Sequence, residues 1–279
     1  MSEDLIAAEN IEVAFARKRS LLGAANAPVK VLQGVTVRIA RGETVGIVGE
    51  SGSGKTTLGR ALLRLIDVTA GRIAYAGRDI THLGESELRP LRRKMQIIFQ
   101  DPMASLNPRH TIRRIVGEPM RFHGLAKSDS EVEARVRNIF ERFSLPLACL
   151  DRYPHELSGG QRQRVGIARA ALMEPEFVLA DEIVSGLDVS TQAQALNLLK
   201  GLSRELGLAM AFISHDLSVI RAVCDRVHVL RSGVIVEEGA CERVFAAPAH
   251  PYTRALLDAI PLPKIDAAWL QREAPDIAG

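Results

Sequence analysis

The sequence predicts an α/β protein whose mostly parallel sheet is covered by helices on both faces. Short runs of apolar, mostly β-branched residues alternate with helical patterns, which is typical of parallel strands joined by helices. A glycine-rich loop separates one such run from the helix that follows it. Near the start of the chain, two further segments alternate apolar and polar residues with a period of two, which predicts additional strands.

The predicted elements can be placed in order along the chain. Strands are predicted at 11–15, 29–40, 45–48, 95–99, 177–180, 209–213, 227–230 and 234–237. A basic loop at 17–28 separates the first two strands, and a helix over about 55–66 follows the glycine-rich loop. Charged residues at helical spacing predict a mostly helical insertion over about 83–174, with one clear helix at 130–142. After Ala246 the chain becomes proline-rich around a short helix, which we interpret as an appendage.

Composition and charge exclude several classes of protein. Of the 279 residues, 47% are hydrophobic and 25% are charged, which is ordinary for a globular domain and excludes a disordered chain. Aromatic residues make up 4% and the net charge is only +3, so neither base stacking nor charge argues for nucleic acid. Cys149, Cys224 and Cys241 are far apart, which predicts neither a disulfide framework nor a metal cluster and fits a reducing cytosol.

The sequence contains no signal for entering a membrane. No stretch approaches 18 consecutive apolar residues, so no bilayer span is expected. Glu3 and Asp4 stand where a secretory signal would carry basic residues. Any role at a membrane would therefore require a partner that spans it.

The glycine-rich loop at 49–56 matches the pattern G-x-x-x-x-G-K-[ST]. Its glycines let backbone amides turn toward phosphate oxygens, and the helix that follows adds the positive end of its dipole. Lys55 supplies a point charge, and Thr56 supplies a hydroxyl ligand for Mg²⁺. The alternative is a flexible glycine turn, which the preceding strand and following helix disfavour. The candidate phosphate-binding residues are Gly49, Glu50, Ser51, Gly52, Ser53, Gly54, Lys55, Thr56 and Thr57.

Two adjacent acids follow the predicted strand at 177–180. Asp181, at the carboxyl end of the strand, is a candidate ligand of Mg²⁺, usually through water. Glu182 beside it is a candidate to orient and polarise the attacking water. The alternative is an acidic loop after a core strand, and the phosphate loop elsewhere in the chain disfavours it.

A second candidate anion site occurs where a helix begins after Leu157. Ser158, Gly159, Gly160 and Gln161 combine a hydroxyl, free amides and the dipole end of the helix. The alternative is an ordinary serine-capped helix. Two such sites cannot easily hold the same phosphates within one chain, but two chains arranged head to tail would each offer this helix to the nucleotide of the other.

Several of these residues together carry a resemblance to a known family. The set is Lys55, the segment 157–161, Asp181, Glu182 and His215. In order and spacing it resembles the ATP-binding subunits of ABC transporters, whose signature is the segment 157–161. The resemblance covers about residues 5–245.

The resemblance implies a fold, a domain organisation and cofactors. The implied fold is a P-loop NTPase (RecA-like) core with a mostly parallel sheet, an N-terminal antiparallel β subdomain and an inserted helical subdomain. The implied ATPase domain spans 1–245, with the helical subdomain at about 101–175, and a C-terminal extension spans 246–279. ATP and Mg²⁺ are the implied cofactors.

The resemblance also implies roles for residues that the motifs alone do not assign. Gln100 falls at the lid between core and helical subdomain, where the family senses Mg²⁺, water and the membrane partner; alternatively it is a polar strand end. Asp188 falls at the dimer-contact loop, and it is also a candidate helix cap. His215 falls at the switch that touches the γ-phosphate, with a capping role as the alternative.

Two positions make the resemblance less complete. The family places an aromatic residue near Phe15 to stack on adenine, but Phe15 shares a predicted strand face with Ile11 and Val13, which is equally a core pattern. The family commonly has proline after the catalytic glutamate, whereas this chain has Ile183. Because both acids are retained, we expect hydrolysis to be kept. Because the proline is missing, we expect the local backbone to be looser.

The C-terminal segment narrows the resemblance to one branch of the family. Residues 250–261 resemble the tail of the oligopeptide, dipeptide and nickel importers, as do residues 100–108. The alternative is a generic amphipathic helix that packs on the core through Leu256, Leu257 and Ile260. Upstream, a basic group either faces a membrane subunit or anionic lipid or is simply solvated, which we favour; its members are Arg89, Arg92, Arg93 and Lys94.

The branch resemblance implies an ATP-hydrolysing subunit that powers import of a small solute, a di- or oligopeptide or a nickel-like cargo. The implied partners are membrane permease subunits, a second ATP-binding subunit, identical or a sister, and indirectly an external solute-binding protein, with no nucleic acid. The implied location is peripheral, on the cytoplasmic face of the inner (plasma) membrane. The rival hypotheses are a soluble ABC-type ATPase acting on nucleic acid or ribosomes, and an ATP-binding switch that does not hydrolyse.

Overall fold

The computed structural model describes residues 4–16 and 28–259. Most of the predicted basic loop and the end of the tail, including Ile260, lie outside the described residues. Within the described ranges, no helix is both long and apolar enough to cross a bilayer.

The described residues form strands and α-helices that are numbered in chain order. The strands are β1 (Asp4–Phe15), β2 (Val29–Ala40), β3 (Thr44–Val48), β4 (Ala70–Tyr75), β5 (Arg78–Asp79), β6 (Met95–Ile98), β7 (Phe177–Asp181), β8 (Ala209–Ile213), β9 (Arg226–Arg231) and β10 (Val234–Ala240). The helices are α1 (Lys55–Leu62), α2 (Glu85–Lys94), α3 (Pro102–Ser105), α4 (Ile112–Phe122), α5 (Asp129–Arg142), α6 (Gly159–Ala171), α7 (Val189–Leu206), α8 (Leu217–Val223), α9 (Cys241–Ala246) and α10 (Pro251–Asp258).

The larger sheet has the strand order β10-β9-β3-β8-β7-β6. Its neighbouring strands are parallel except for β9 and β10, which are antiparallel. Strands β3, β7 and β8 are buried along their whole length, which is why their sequences are apolar runs rather than alternating patterns. The predicted α/β class with a mostly parallel sheet is confirmed.

The register of the larger sheet brings three strand ends to one edge. Ile213 at the end of β8 lies between Ile47 of β3 and Asp181 of β7. The chain therefore leaves β3, β7 and β8 side by side, and the segments that follow these strands meet at the carboxyl edge of the sheet. This is the edge at which open α/β sheets bind ligands.

The smaller sheet is antiparallel, with the strand order β2-β1-β4-β5. Its apolar face shares one core with helix α1 and the larger sheet, in which Ile6, Ile11, Leu58, Leu62 and Ile47 are buried. This agrees with an antiparallel β subdomain near the N-terminus.

Helices α4, α5 and α6 pack together beside the sheets. Their buried residues include Val116, Phe140 and Ile167, which belong to a second apolar core. Gly117 permits the close approach of α4 and α5, because a Cβ at this position would lie 2.8 Å from a methyl carbon of Val132. This part of the chain is mostly helical, as its charged residues at helical spacing predict, and its helices bury apolar faces in a common core.

Three elements differ from the sequence prediction. Strands β4 and β5 were not predicted, because the exposed start of β4 interrupts any apolar run. Helix α1 ends at Leu62 rather than near residue 66, since Arg64 has a φ of +51°. The buried Arg64 guanidinium donates to the carbonyl of Ile80 and to Asp67, and these hydrogen bonds stabilise the turn that follows α1.

The buried imidazole of His228 on β9 makes the stability of this fold sensitive to acid. The side chain is 1% exposed, and burial lowers its pKa to about 4, although the Glu238 carboxylate, 2.9 Å from Nδ1, opposes this shift. The unfolded chain binds the proton at the ordinary pKa of about 6.5, so acid favours unfolding.

We therefore expect the free energy of unfolding to fall as pH is lowered from about 6.5 toward about 4. In a His228→Leu variant, the fall in the free energy of unfolding that is due to this imidazole should disappear. Denaturant titrations of both proteins at a series of pH values measure the difference. An identical pH dependence in the two proteins would contradict the prediction.

Candidate functional site

The phosphate loop runs from the end of β3 to the start of α1, as its sequence predicts. Gly49, Gly52 and Gly54 all have positive φ, a conformation that favours glycine. At Gly49 there is also no room for a side chain, because a Cβ would lie 2.1 Å from the carbonyl oxygen of Leu230. The glycines of the motif thus fulfil a backbone requirement.

The ammonium group of Lys55 is held inside this loop. Its Nζ donates to the carbonyl oxygens of Gly49 and Glu50, each at 2.8 Å. Burial lowers the pKa of Lys55, and the negative charges of Glu182, Asp181 and Glu50 oppose this shift. A buried cation in a glycine-rich loop at the start of a helix is suited to binding a phosphate group.

The side chains of Thr56 and Asp181 meet across the ends of α1 and β7. The Thr56 hydroxyl donates to Oδ1 of Asp181 over 3.4 Å. Burial raises the pKa of Asp181, and the adjacent Glu182 raises it further. A buried carboxylate beside a second one is stabilised by a cation. Hydroxyl and carboxylate oxygens are the ligands that Mg²⁺ prefers, so these residues fit that ion.

Mg²⁺ in such a site would depend on phosphate oxygens and water for its remaining ligands. Among residues 4–16 and 28–259, no group of three or more His, Cys, Asp or Glu side chains is placed to hold a metal ion.

Glu182 has an unusual backbone conformation at the carboxyl edge of the sheet. Its φ is +48°, although it is not glycine, and its N–H donates to the carbonyl of Ile213. Its Oε2 lies 3.7 Å from Nδ1 of His215, whose side chain is 62% exposed against 20% for Glu182. The next residue, Ile183, is buried in the core. The structure thus places the carboxylate of Glu182 near the imidazole of His215, which the resemblance assigns to the γ-phosphate.

Lys55, Thr56 and Glu182 line an open cavity of about 440 Å³, whereas Asp181 and His215 do not. Its lining residues are Val31, Ser51, Gly52, Gly54, Lys55, Thr56, Thr57, Gln100 and Glu182. The sequence prediction missed Val31, because nothing in the alternating pattern of β2 distinguishes it from any other strand residue. The cavity brings most of the predicted loop residues together with Gln100 and Glu182.

Three of the predicted loop residues do not line the cavity, and their carbonyl groups accept hydrogen bonds that hold the loop in place. Gly49 and Glu50 offer their carbonyls to Lys55. The buried Ser53 accepts a backbone hydrogen bond at its carbonyl from the N–H of Gly233, 2.9 Å away. The loop is therefore braced by the turn between β9 and β10.

Ser158 caps helix α6 and lies away from this cavity. Its Oγ accepts from the Gln161 N–H, while the Gln161 side chain accepts from the Ser158 N–H, which forms a capping box. Gly160 packs against Thr191, and a Cβ on it would lie 2.5 Å from the Thr191 methyl carbon. Ser158 is exposed, so the helix start is open to a ligand from outside the chain.

Asp188 caps helix α7, which confirms the helix-cap interpretation of this residue. Its carboxylate accepts from the N–H and the hydroxyl of Thr191. The first of these bonds is also the main reason that the pKa of Asp188 lies below its ordinary value. The dimer contact implied by the resemblance stays a prediction.

Phe15 is not part of the core. Ile11 and Val13 are buried, but Phe15 on the same predicted strand face is 47% exposed. The core interpretation of Phe15 is therefore wrong, because β1 extends beyond the edge of the apolar layer. Phe15 does not line the cavity, and its stacking on adenine stays a prediction.

A residue far along the chain also contacts the phosphate loop. The hydroxyl of Tyr252 on α10 accepts a hydrogen bond of 2.9 Å from the N–H of Glu50. From the sequence, Tyr252 could be assigned only to an ancestral tail motif. Its position within that motif was the single signal that pointed to it.

The fold and this site define a nucleotide-binding protein of the P-loop class. Residues 32–185 match the ABC transporter family, and residues 236–278 match the C-terminal region of oligopeptide/dipeptide transporters. The chain belongs to the ABC transporter family, as one of its ATPase subunits.

Individual relatives and solved structures agree with this assignment. A Brucella ovis protein named as a putative peptide import ATP-binding protein is 55% identical, over 87% of this chain and 76% of that protein. The oligopeptide transport ATP-binding protein OppF of Escherichia coli is 48% identical, over 85% of this chain and 71% of OppF. The ATP-binding cassette MJ0796, solved as a dimer in a post-hydrolysis state with ADP and Pi, matches with a TM-score of 0.76 at 30% identity, over 85% of this chain and 98% of that chain.

Proposed function

We propose that this ATPase subunit powers the import of di- or oligopeptides through separate membrane subunits. One observation carries the proposal: a phosphate loop and Glu182 share one cavity in a chain whose C-terminal segment matches oligopeptide/dipeptide transporters. Peptide is favoured over nickel because the similar proteins from Brucella ovis and Escherichia coli are named for peptide and oligopeptide transport.

In the proposed mechanism the chain's residues position and neutralise the reacting phosphate. The ammonium of Lys55 has three N–H donors, two of which the loop carbonyls accept, and the third donates to a phosphate oxygen. Thr56 and Asp181, with Gln100 nearby, would hold Mg²⁺, which neutralises phosphate charge when bound. Glu182 orients and polarises the attacking water, and His215, 3.7 Å from Glu182, contacts the γ-phosphate.

The second part of the proposal is a dimer in which each chain completes the other's site. Ser158 and the amides of Gly159, Gly160 and Gln161 would bind the nucleotide held by the partner, and Asp188 would lie at the contact. The exposure of Ser158 and its absence from the lining of its own cavity support this arrangement. The dimeric state of the similar cassette MJ0796 also supports it.

The same proposal assigns the domains, partners and location. An ATPase domain spans 1–245, with a helical subdomain inserted at about 101–175, and an importer-type extension spans 246–279. The partners are permease subunits, a second ATP-binding subunit and, indirectly, an external solute-binding protein, but not nucleic acid. The chain would lie peripherally on the cytoplasmic face of the plasma membrane.

Transport itself provides the direct test. Vesicles that carry this chain and the membrane subunits that co-purify with it are expected to take up labelled di- or oligopeptide only while ATP is consumed. Stimulation of the ATPase by RNA, and not by the membrane subunits, would contradict the proposal.

The shared site predicts that Ser158→Ala lowers ATP turnover at least about tenfold, because a hydrogen bond to a charged group is lost. Turnover per chain of the unaltered protein should also fall on dilution. Steady-state phosphate release at several protein concentrations measures both effects.

The matched control is Ser128→Ala, which removes the equivalent cap from α5, where Ser128 Oγ accepts from the Glu131 N–H. Each substitution is expected to cost about 1 kcal/mol of folding stability. Only Ser158→Ala should impair turnover. Equal turnover in the two variants, or turnover that is indifferent to dilution, would refute the shared site.

A further inference from the structure

The start of helix α10 has three residues with distinct structural roles. His250 is the N-cap, and its Nδ1 accepts a hydrogen bond of 3.1 Å from the N–H of Tyr252. Pro251 occupies the first helical position, where its missing N–H has no cost. Tyr252 follows, and this residue is buried, with only 6% of its surface exposed. This helix therefore begins in a way that fixes the direction of the tyrosine side chain.

The helix start is fastened to the larger sheet through Glu237 of β10. The two carboxylate oxygens of Glu237 accept from the N–H groups of Ala249 and His250, at 2.8 and 2.9 Å. The guanidinium of Arg231, at the end of β9, lies 4.9 Å from the centre of the Tyr252 ring. The phenol is thus held between the helix and the strand that neighbours the phosphate loop.

The hydroxyl of Tyr252 contacts the peptide unit that holds Lys55. Glu50 N–H and Gly49 C=O belong to one peptide group, which is trans, so these two groups point in opposite directions. The carbonyl accepts from Nζ of Lys55, and the N–H on the other side donates to Tyr252 Oη. One planar unit is therefore bonded on one side to the phosphate-binding lysine and on the other to the C-terminal extension.

We propose that Tyr252 is a positioning residue for the phosphate loop, and that its hydroxyl fixes the peptide group behind Lys55 and thereby raises the affinity for nucleotide. Without this bond, the Glu50 N–H loses its partner and the peptide can rotate. A rotated peptide misdirects the carbonyl that orients Lys55 and the amides that follow it. The C-terminal extension is in this way part of the nucleotide site, although it does not contact the nucleotide.

The inference predicts a specific kinetic pattern for Tyr252→Phe in the full-length chain. This change keeps the ring and its contact with Arg231 and removes only the hydroxyl. The dissociation constants of ATP and ADP, and the KM for ATP, should each rise about three- to tenfold, the value of one hydrogen bond. Because the hydroxyl does not contact the transferred phosphate, kcat should stay within about twofold.

The matched control is Tyr153→Phe. Tyr153 is exposed and lies outside the nucleotide cavity, so loss of its hydroxyl should leave both dissociation constants unchanged. Unchanged nucleotide affinity and KM in Tyr252→Phe would overturn the inference. So would a loss confined to melting temperature, because that is what a merely structural hydroxyl would cause.

A second variant separates positioning from folding. Glu237→Gln presents an amide group to N–H donors and should loosen the seat of α10, so it should weaken nucleotide binding in the same direction. If both residues act through the Glu50 peptide, adding Glu237→Gln to Tyr252→Phe should cause little further loss of affinity. A full additional loss in the double variant would overturn the proposed route.

The inference rests on ATP binding at the phosphate loop and not on the identity of the cargo. If the unaltered chain bound no nucleotide, the proposed function would fail. If the unaltered chain and Tyr252→Phe bound nucleotide equally, only the role of Tyr252 would fail.

Discussion

Replacing Glu182 by glutamine is expected to lower ATP turnover at least about 10²-fold, while ATP still promotes dimer formation. The substitution keeps the size of the side chain and removes the carboxylate that can orient and polarise water. Lys55 and the loop amides, which bind phosphate, are untouched. Steady-state phosphate release measures turnover, and size-exclusion chromatography with and without ATP measures dimer formation.

A control must show that loss of turnover is specific to this carboxylate. Glu141→Gln makes the same chemical change at an exposed position of α5, and turnover should be unchanged. If Glu182→Gln hydrolysed ATP at the unaltered rate, Glu182 would have no part in the reaction. The non-hydrolysing switch would also predict no difference between the two variants, because neither they nor the unaltered chain would release phosphate.

Replacing Gly49 by alanine should have the largest effect on stability. Its φ is +149°, and the added Cβ would lie 2.1 Å from the carbonyl oxygen of Leu230, which is backbone and cannot rotate away. Overpacking and backbone strain together should lower the free energy of unfolding by about 3 kcal/mol or more. For a domain of this size the melting temperature should fall by roughly 6–12 °C. ATP binding should be lost, because the loop must shift.

Gly77 provides the matched control for backbone strain alone. It has a φ of +76°, and nothing lies within 4 Å of a Cβ built on it. Gly77→Ala should therefore cost only about 1 kcal/mol and leave ATP binding intact. Differential scanning calorimetry and ATP titration of both variants test the comparison. Equal melting temperatures would mean that the steric contact with Leu230 is relieved at no cost.

The parts of this protein that could be predicted from sequence are those that local physics determines. Strand β3 is predicted because burial on both faces requires an apolar run, and the phosphate loop is predicted because its glycines and Lys55 serve one backbone geometry. Helix caps at Ser158 and Asp188 could be named as alternatives from the sequence, because a cap needs only residues within one turn of it.

The parts that could not be predicted depend on contacts between residues far apart in sequence, or on where the apolar layer of the core ends. Phe15 continues the alternating pattern of β1, but the pattern contains no information on where the apolar layer ends. The positive φ of Glu182 could not be predicted, because glutamate does not favour this conformation. Tyr252 lies 202 residues from its partner Glu50, so only the packing of β9, β10 and α10 brings their atoms together.

The two hydrogen bonds that Lys55 donates to carbonyls of its own loop have a consequence for the transport cycle. The third N–H of the ammonium is left to donate to an arriving phosphate, so Lys55 is already oriented when nucleotide binds. When the products leave, the carbonyls of Gly49 and Glu50 still accept from the ammonium. The empty subunit therefore keeps a satisfied cation and an ordered loop, and each new cycle starts without a refolding step.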